Sequence, residues 1–127
     1  MAESGDTRPR SISRGDIYWA RVDKPCGSGV AIAHPHVVIH DDAIGPSGLG
    51  TVVVCALTSN LKRMNEPGNV LLDAGEANLT RQSVVVVSQV SSVEKTKLGE
   101  YIGSLSERRI EQILAGMRFQ QASFFSR

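Results

Sequence analysis

The sequence predicts a mainly β domain, a small and strongly bent sheet or partial barrel closed by one C-terminal helix. Three observations point there. Short β-branched runs, above all residues 51–57 (TVVVCAL) and 83–90 (SVVVVSQV), are separated by loops rich in Gly and Pro. One helical period follows, over residues 107 to about 120, where Ile110, Ile113, Leu114 and Met117 keep the i, i+3, i+4, i+7 spacing of a single face. A chain of 127 residues with 41% hydrophobic content supports one core and not two.

Taken in order, residues 1–12 mix charge, Gly, Ser and Pro without apolar periodicity, and read as a flexible arm ahead of a domain spanning 13–127. Residues 17–22 form the first strand, with Ile17, Trp19 and Arg21 on one face and Tyr18, Ala20 and Val22 on the other. Arg14-Gly15-Asp16 spells an adhesion tripeptide, which carries no force in a cytosolic chain. A loop over 23–29 holds Cys26, and residues 30–40 make the second strand. Alternation sets His34, His36, Val38 and His40, including all three histidines of the protein, on one face of that strand. Pro35 cannot donate to a ladder, so the strand lies at an edge or begins there.

After a loop over 41–50, residues 51–57 are apolar without alternation and read as a strand buried on both faces. Residues 62–68 form a loop, 69–72 a short strand, and 73–80 a polar connection or a single helical turn. The strand over 83–90 leads to a brief helical turn within 93–98 and a last strand over 100–105. Ser106 is a natural N-cap for the helix, Glu107 suits its positive end, and Leu105 with Ile110 has the spacing of a hydrophobic staple. The helix face reads as core packing against the sheet, while Phe119, Phe124 and Phe125 near the terminus suit an interface.

The net charge is only +1, so any nucleic-acid binding must come from basic residues clustered in space rather than from a basic surplus. No stretch approaches the roughly 20 apolar residues of a membrane span. The N-terminus lacks an apolar segment of the signal-peptide type, which points to the cytosol. Cys26 and Cys55 make neither a C-x-x-C pair nor a disulfide framework, and read as free thiols.

The central strand ends in Thr58, Ser59 and Asn60, followed by Lys62 and Arg63. These residues read two ways. Ser, Thr and Asn satisfy their own backbone in turns; they are also polar groups delivered to a surface by a rigid strand, where binding and chemistry are commonly sited.

The order of these segments resembles the MazF/PemK toxins. The resemblance rests on Arg14-Gly15-Asp16-Ile17-Tyr18-Trp19, the Pro35–Ile39 strand, Val-Cys-Ala-Leu-Thr-Ser-Asn at 54–60, Ser83-Val84 through Ser88-Gln89-Val90, and Val93-Glu94-Lys95 with Leu98, Gly103 and Leu105. It covers residues 14 to about 117. It implies an SH3-like barrel of the MazF/PemK/CcdB type, a homodimer, and a metal-independent, cofactor-free endoribonuclease cutting single-stranded RNA at short sequences. It also implies a MazE-like antitoxin whose disordered segment folds on binding and covers the RNA groove. Thr58 carries over as one member of the family's site. The family's Arg before the strand-opening Pro is replaced here by His34.

Attack of a ribose 2'-hydroxyl on the adjacent phosphate needs a base, an acid and positive charge facing the phosphorane. Arg offers charge but is a poor proton shuttle; imidazole, titrating near about 6.5, exchanges protons readily. His34 is therefore the expected acid/base group, with His36 or a neighbouring cation helping, and Thr58 and Ser59 the expected donors to phosphate oxygens. Arg14, Asn60, Lys62, Arg63 and Gln89 are the candidate RNA contacts, with Tyr18 and Trp19 as the nearby stacking surfaces. Two other classes stay open at this point. His34-x-His36 with His40, Asp41 and Asp42 has the donor types of a cupin-like metal site, though no downstream histidine completes it. A CcdB-type barrel directed at gyrase, or a toxin that binds without cutting, has the same composition.

Overall fold

The computed structural model describes residues 11–22, 32–40 and 50–125. The arm over 1–10, the loop residues 23–31 with Cys26, the loop residues 41–49 with Asp41 and Asp42, and the side chains of Phe124 and Phe125 lie outside the described residues.

The β-branched runs become strands β1 (Asp16–Ala20), β2 (His34–Val38), β3 (Thr51–Thr58), β4 (Val70–Leu72), β5 (Ser83–Glu94) and β6 (Tyr101–Ser104), followed by helix α1 (Glu107–Phe125). They form one six-stranded sheet in the order β4-β5-β3-β2-β1-β6, antiparallel at every described pairing. Pro35 is the second residue of β2 rather than an edge marker, because β2 runs between β1 and β3 with Pro35 opposite Trp19. Two elements run longer than their local patterns: β5 continues to Glu94 and α1 to Phe125. The 62–68 loop holds a 3-10 turn (Leu61–Asn65), and the helical turn expected within 93–98 is the 3-10 turn Lys95–Lys97.

The ladder between β3 and β5 is interrupted by a bulge. Cys55 is opposite Val90 while Leu57 is opposite Val85, so the single residue Ala56 faces the segment 86–89. Such a bulge frees backbone groups and bends the strand. Asn69 Oδ1 takes the Val87 N–H at 3.0 Å, and the Cys55 thiol donates to the Val86 carbonyl at 3.0 Å. Ahead of the bulge, residues 83–85 of β5 pair with β4.

Both faces of the bent sheet are buried. Ile17, Val37, Cys55, Leu57, Leu72, Val85, Leu105 and Ile113 form the main core under α1, with Ile110 and Met117 packed against it. Tyr18, Val38, Val52, Val54 and Val93 form a second cluster on the other face. The continuous apolar run of β3 is explained by this arrangement, since its alternate residues enter different clusters. Ser106 caps α1 by accepting the Arg109 N–H at 3.3 Å. The helix approaches the β4 side closely at Gly116, where a Cβ would collide with the Gly68 carbonyl.

The turn Glu76–Asn78, which follows β4, lies against β6 at the opposite edge of the sheet. Asn78 Nδ2 donates to the Ile102 carbonyl at 2.9 Å, and Gly103 leaves room for the Ala77 carbonyl where any Cβ would clash. A side-chain bridge thus links the β4 and β6 sides, and the sheet is a half-barrel. Ala77 (φ 50°) and Asn78 (φ 63°) are both left-handed, a conformation L-residues adopt rarely. Their position is held from the helix by Arg109, which donates to Glu76 through Nε (2.8 Å) and Nη2 (3.1 Å).

Candidate functional site

A cleft of about 390 Å³ opens where one end of the sheet meets this turn. It is lined by His34 and Pro35 of β2, Leu57 and Thr58 of β3 with Ser59 just after it, and Trp19 of β1, together with Asn78, Thr80, Arg81 and Ser83. His36 pairs with Ala56 and Val37 with Cys55, and the same register carried two residues further sets His34 opposite Thr58. Antiparallel pairing also puts the end of β3 beside the start of β5, Thr58 facing Val84. Polar residues 22–25 positions apart in sequence are thereby brought to one surface.

His34 is exposed and Thr58 half-buried. Thr58 Oγ1 accepts the Asn60 N–H at 3.1 Å, and Asn60 Oδ1 accepts the Lys62 N–H at 3.2 Å, capping the 3-10 turn. Both readings of this polar run hold together: the hydroxyl of Thr58 closes the turn with a lone pair and keeps its proton to donate. Trp19, 41% exposed, is a rim residue rather than a core one. Its backbone is pinned between the Glu100 carbonyl and the Gly99 N–H, at 3.0 and 2.6 Å, with the indole at the cleft. Tyr18, the other expected stacking surface, is 5% exposed and packs in the second cluster.

His36 does not line the cleft. It is 5% exposed, and its Nδ1–H donates to the His34 carbonyl at 2.8 Å, which fixes the tautomer. Burial lowers its proton affinity, against the opposing effect of that hydrogen bond. Its structural effect is to hold the peptide that carries His34. Strand alternation failed to separate the two rings because both faces of β2 are covered except at its first residues. His40 is half-buried. Among the described residues no three His, Cys, Asp or Glu side chains come together as a metal-ligand cluster.

Of the expected RNA contacts, Asn60 and Lys62 are exposed on the turn just beyond Ser59. Arg63 is engaged elsewhere, donating to Glu66 through Nε (2.9 Å) and Nη2 (3.0 Å). Arg14 lies at the opposite end of β1 from Trp19, where its Nε donates to the Ile39 carbonyl at 3.2 Å. Gln89 is exposed in the β5 bulge and is not among the cleft residues. Asp16, the third residue of the adhesion-like tripeptide, is buried and structural, accepting from Ser104 Oγ (2.7 Å) and the Ser13 N–H (3.0 Å).

The residue that the sequence reading missed is Arg81. It is exposed, lines the cleft, and its guanidinium forms no hydrogen bond or ion pair with the described residues. The Ser83 hydroxyl holds its backbone, donating to the Arg81 carbonyl at 3.2 Å. A signal for it existed: Thr80-Arg81-Gln82-Ser83 is a polar run at the start of the strand that pairs with β3, so it had to share the end where Thr58 emerges.

Comparison with known proteins agrees with this architecture. Endoribonuclease MazF6 of Mycobacterium tuberculosis is 37% identical over 107 residues, covering 84% of this chain and 94% of the relative. Endoribonuclease EndoA of Bacillus subtilis is 28% identical over 102 residues, covering 80% and 87%. Among solved structures, a mycobacterial endoribonuclease in complex with its cognate antitoxin superimposes with a TM-score of 0.69 at 20% identity, covering 91% of this chain and 97% of that one. MazF from Deinococcus radiodurans gives a TM-score of 0.69 at 18% identity, covering 94% and 100%. These bear out the fold, a half-barrel of the MazF/PemK type with a C-terminal helix. A family model for the PemK-like, MazF-like toxins of type II toxin–antitoxin systems matches residues 13–120, and the chain belongs to that family.

Proposed function

We propose that this toxin is a metal-independent endoribonuclease of the cytoplasm that cuts single-stranded RNA by attack of a ribose 2'-hydroxyl on its own 3'-phosphate. The observation that carries the reading is the meeting of His34, Thr58 and Ser59 at adjoining ends of β2 and β3, beside an exposed indole. Trp19 stacks a splayed base, as single-stranded substrates permit. Thr58 and Ser59 donate to nonbridging phosphate oxygens. The His34 imidazole takes the 2'-hydroxyl proton as the 2'-oxygen bonds to phosphorus. The bond from phosphorus to the 5'-oxygen breaks, and that oxygen takes a proton from water at the open mouth of the cleft. The imidazolium then returns its proton to solvent. The products are a 2',3'-cyclic phosphate and a 5'-hydroxyl, with no oxidant or metal in the balance.

The toxin domain spans 13–127 behind an N-terminal arm, works as a homodimer, and is held inactive by an antitoxin segment that folds across the same cleft. The solved relative in complex with its cognate antitoxin supports that partner class. The test is to incubate the purified protein with a long single-stranded RNA and excess chelator, map the ends, and repeat with His34→Ala and Thr58→Ala. Specific cuts bearing cyclic-phosphate and 5'-hydroxyl ends, reduced at least about a hundredfold in both variants, are expected. Full activity in His34→Ala would remove the imidazole from the mechanism, and gyrase-dependent DNA breakage without RNA cleavage would replace the reading altogether.

A further inference from the structure

The proposed reaction places two demands on the cleft that one side chain cannot meet together. The phosphorane gathers negative charge on its nonbridging oxygens and needs a cation that remains charged throughout the step. A group that removes the 2'-hydroxyl proton must begin the step unprotonated. If His34 acts as that base it contributes no positive charge when the attack starts. The hydroxyls of Thr58 and Ser59 are neutral donors and supply dipoles only.

Among the described residues that line the cleft, Arg81 alone carries a permanent charge. The other basic groups near this end are committed or lie outside the lining: Arg63 is forked onto Glu66, and Lys62 projects from the turn beyond Ser59. Arg109, which reaches the 76–78 turn from α1, is consumed by Glu76 and lies within 3.6 Å of Asp73. By contrast, no described carboxylate or carbonyl competes for the Arg81 guanidinium. Its backbone is nonetheless held, by the Ser83 hydroxyl on one side and by the bridged Glu76–Asn78 turn on the other. A fixed backbone carrying an uncommitted, planar, five-donor cation into the cleft that also holds a base is the arrangement that oxyanion recognition requires.

We propose that Arg81 is a catalytic residue that contacts the nonbridging oxygens of the scissile phosphate, dividing the work with His34: the arginine holds the charge and the histidine moves the proton. The inference rests on the nuclease reading given above. It assigns the cation to the segment just before β5, which lines the same cleft as His34. The negative charge that develops on the scissile phosphate is then met by Arg81, with the Thr58 and Ser59 hydroxyls donating beside it.

The experiment is single-turnover cleavage of a long single-stranded RNA, in chelator, by the wild type, Arg81→Gln, Arg81→Lys and His34→Gln. Arg118→Gln, an exposed charge on α1, serves as the charge-matched control. Arg81→Gln is expected to lose about a hundredfold or more in maximal rate with an unshifted pH profile, and Arg81→Lys to recover part of the loss. His34→Gln should instead flatten the pH profile. A short RNA carrying a 2'-deoxynucleotide at the mapped site should bind wild type and Arg81→Gln within a few-fold of each other, because the contact matures in the transition state. Unchanged rate in Arg81→Gln, or lost affinity for that oligonucleotide with the maximal rate retained, would overturn the assignment while leaving the nuclease reading intact. A wild-type protein that cuts no RNA overturns both. Thermal melting of Arg81→Gln, expected to match wild type at this exposed position, separates these outcomes from misfolding.

Discussion

The bridge between Arg109 and Glu76 should stabilise the fold and set the shape of the cleft wall. Their side chains are 16% and 22% exposed, and two charge-assisted hydrogen bonds join them. Fully exposed pairs are worth about 0–1 kcal/mol, and breaking a fully buried one costs about 3–5 kcal/mol. Lying between these limits, Arg109→Met or Glu76→Gln should each cost about 2 kcal/mol, with a coupling of about 1 kcal/mol in the double mutant. For a chain of 127 residues each single change should lower the melting temperature by about 6–10 °C. The left-handed pair Ala77 and Asn78 sits in the same turn and depends on the same anchor. The RNA-cleaving rate, measured well below melting, should therefore fall in both variants as the wall carrying Arg81 loosens. There is also a pH signature. Burial opposes ionisation of Glu76, but the Arg109 hydrogen bond and the Asp73 N–H outweigh it and hold the carboxyl below its usual range. Its stabilisation is then present above about pH 4.5 and is lost as the pH falls through the folded value. Urea unfolding of the four-member cycle is the assay. Strictly additive single effects, with coupling under about 0.3 kcal/mol, would refute the reasoning.

Three further outcomes follow from the packing. The buried His36 resists protonation that the unfolded chain accepts, so stability should fall as the pH drops from about 6.5 toward the folded value, at no more than about 1.4 kcal/mol per pH unit; urea titrations between pH 5 and 7 should show this slope in wild type and lose it in His36→Gln, and an equal slope in both would count against it. Burial pushes the Cys55 thiol up to about 12, so in a Cys26→Ser background alkylation at pH 8 should proceed only as fast as the protein unfolds; rapid labelling of the native protein would contradict its burial. Gly116→Ala should destabilise by about 2 kcal/mol by denaturant unfolding, despite the roughly 1 kcal/mol gain in helix propensity, because the added Cβ meets the Gly68 carbonyl; a stabilised variant would show that the helix can shift there without cost.

The fold was largely legible because its signals are local. Val52, Val54, Cys55 and Leu57 announce a strand covered on both faces, and Ile110, Ile113 and Met117 announce the helix face. The lining of the candidate cleft was legible in part. Thr58 and Ser59 follow from the end of an obvious strand, and His34 from the residue before Pro35. What stayed hidden depends on long-range geometry. Arg81 reaches the cleft only because β5 pairs antiparallel with β3 and a turn bridged to β6 fixes the segment before it. Nothing in the local sequence of Arg14 reveals that it ends beside the Ile39 carbonyl, whereas the Arg63–Glu66 pair, three residues apart, had a local signal that the reading did not use. His36 looked equivalent to His34 because alternation carries no information about which end of a strand a second apolar layer covers.

The measurement that bears most directly on the proposed chemistry is cleavage of an RNA in which a single ribose, that immediately 5' to the mapped scissile phosphate, is replaced by its 2'-deoxy form, with chelator present. Attack by the 2'-hydroxyl requires that this position become uncleavable while an unmodified copy of the site in the same molecule is cut at the normal rate. Continued cutting at the deoxy position, leaving a 3'-phosphate or 3'-hydroxyl end, would mean that water is the nucleophile and would contradict the role given to His34.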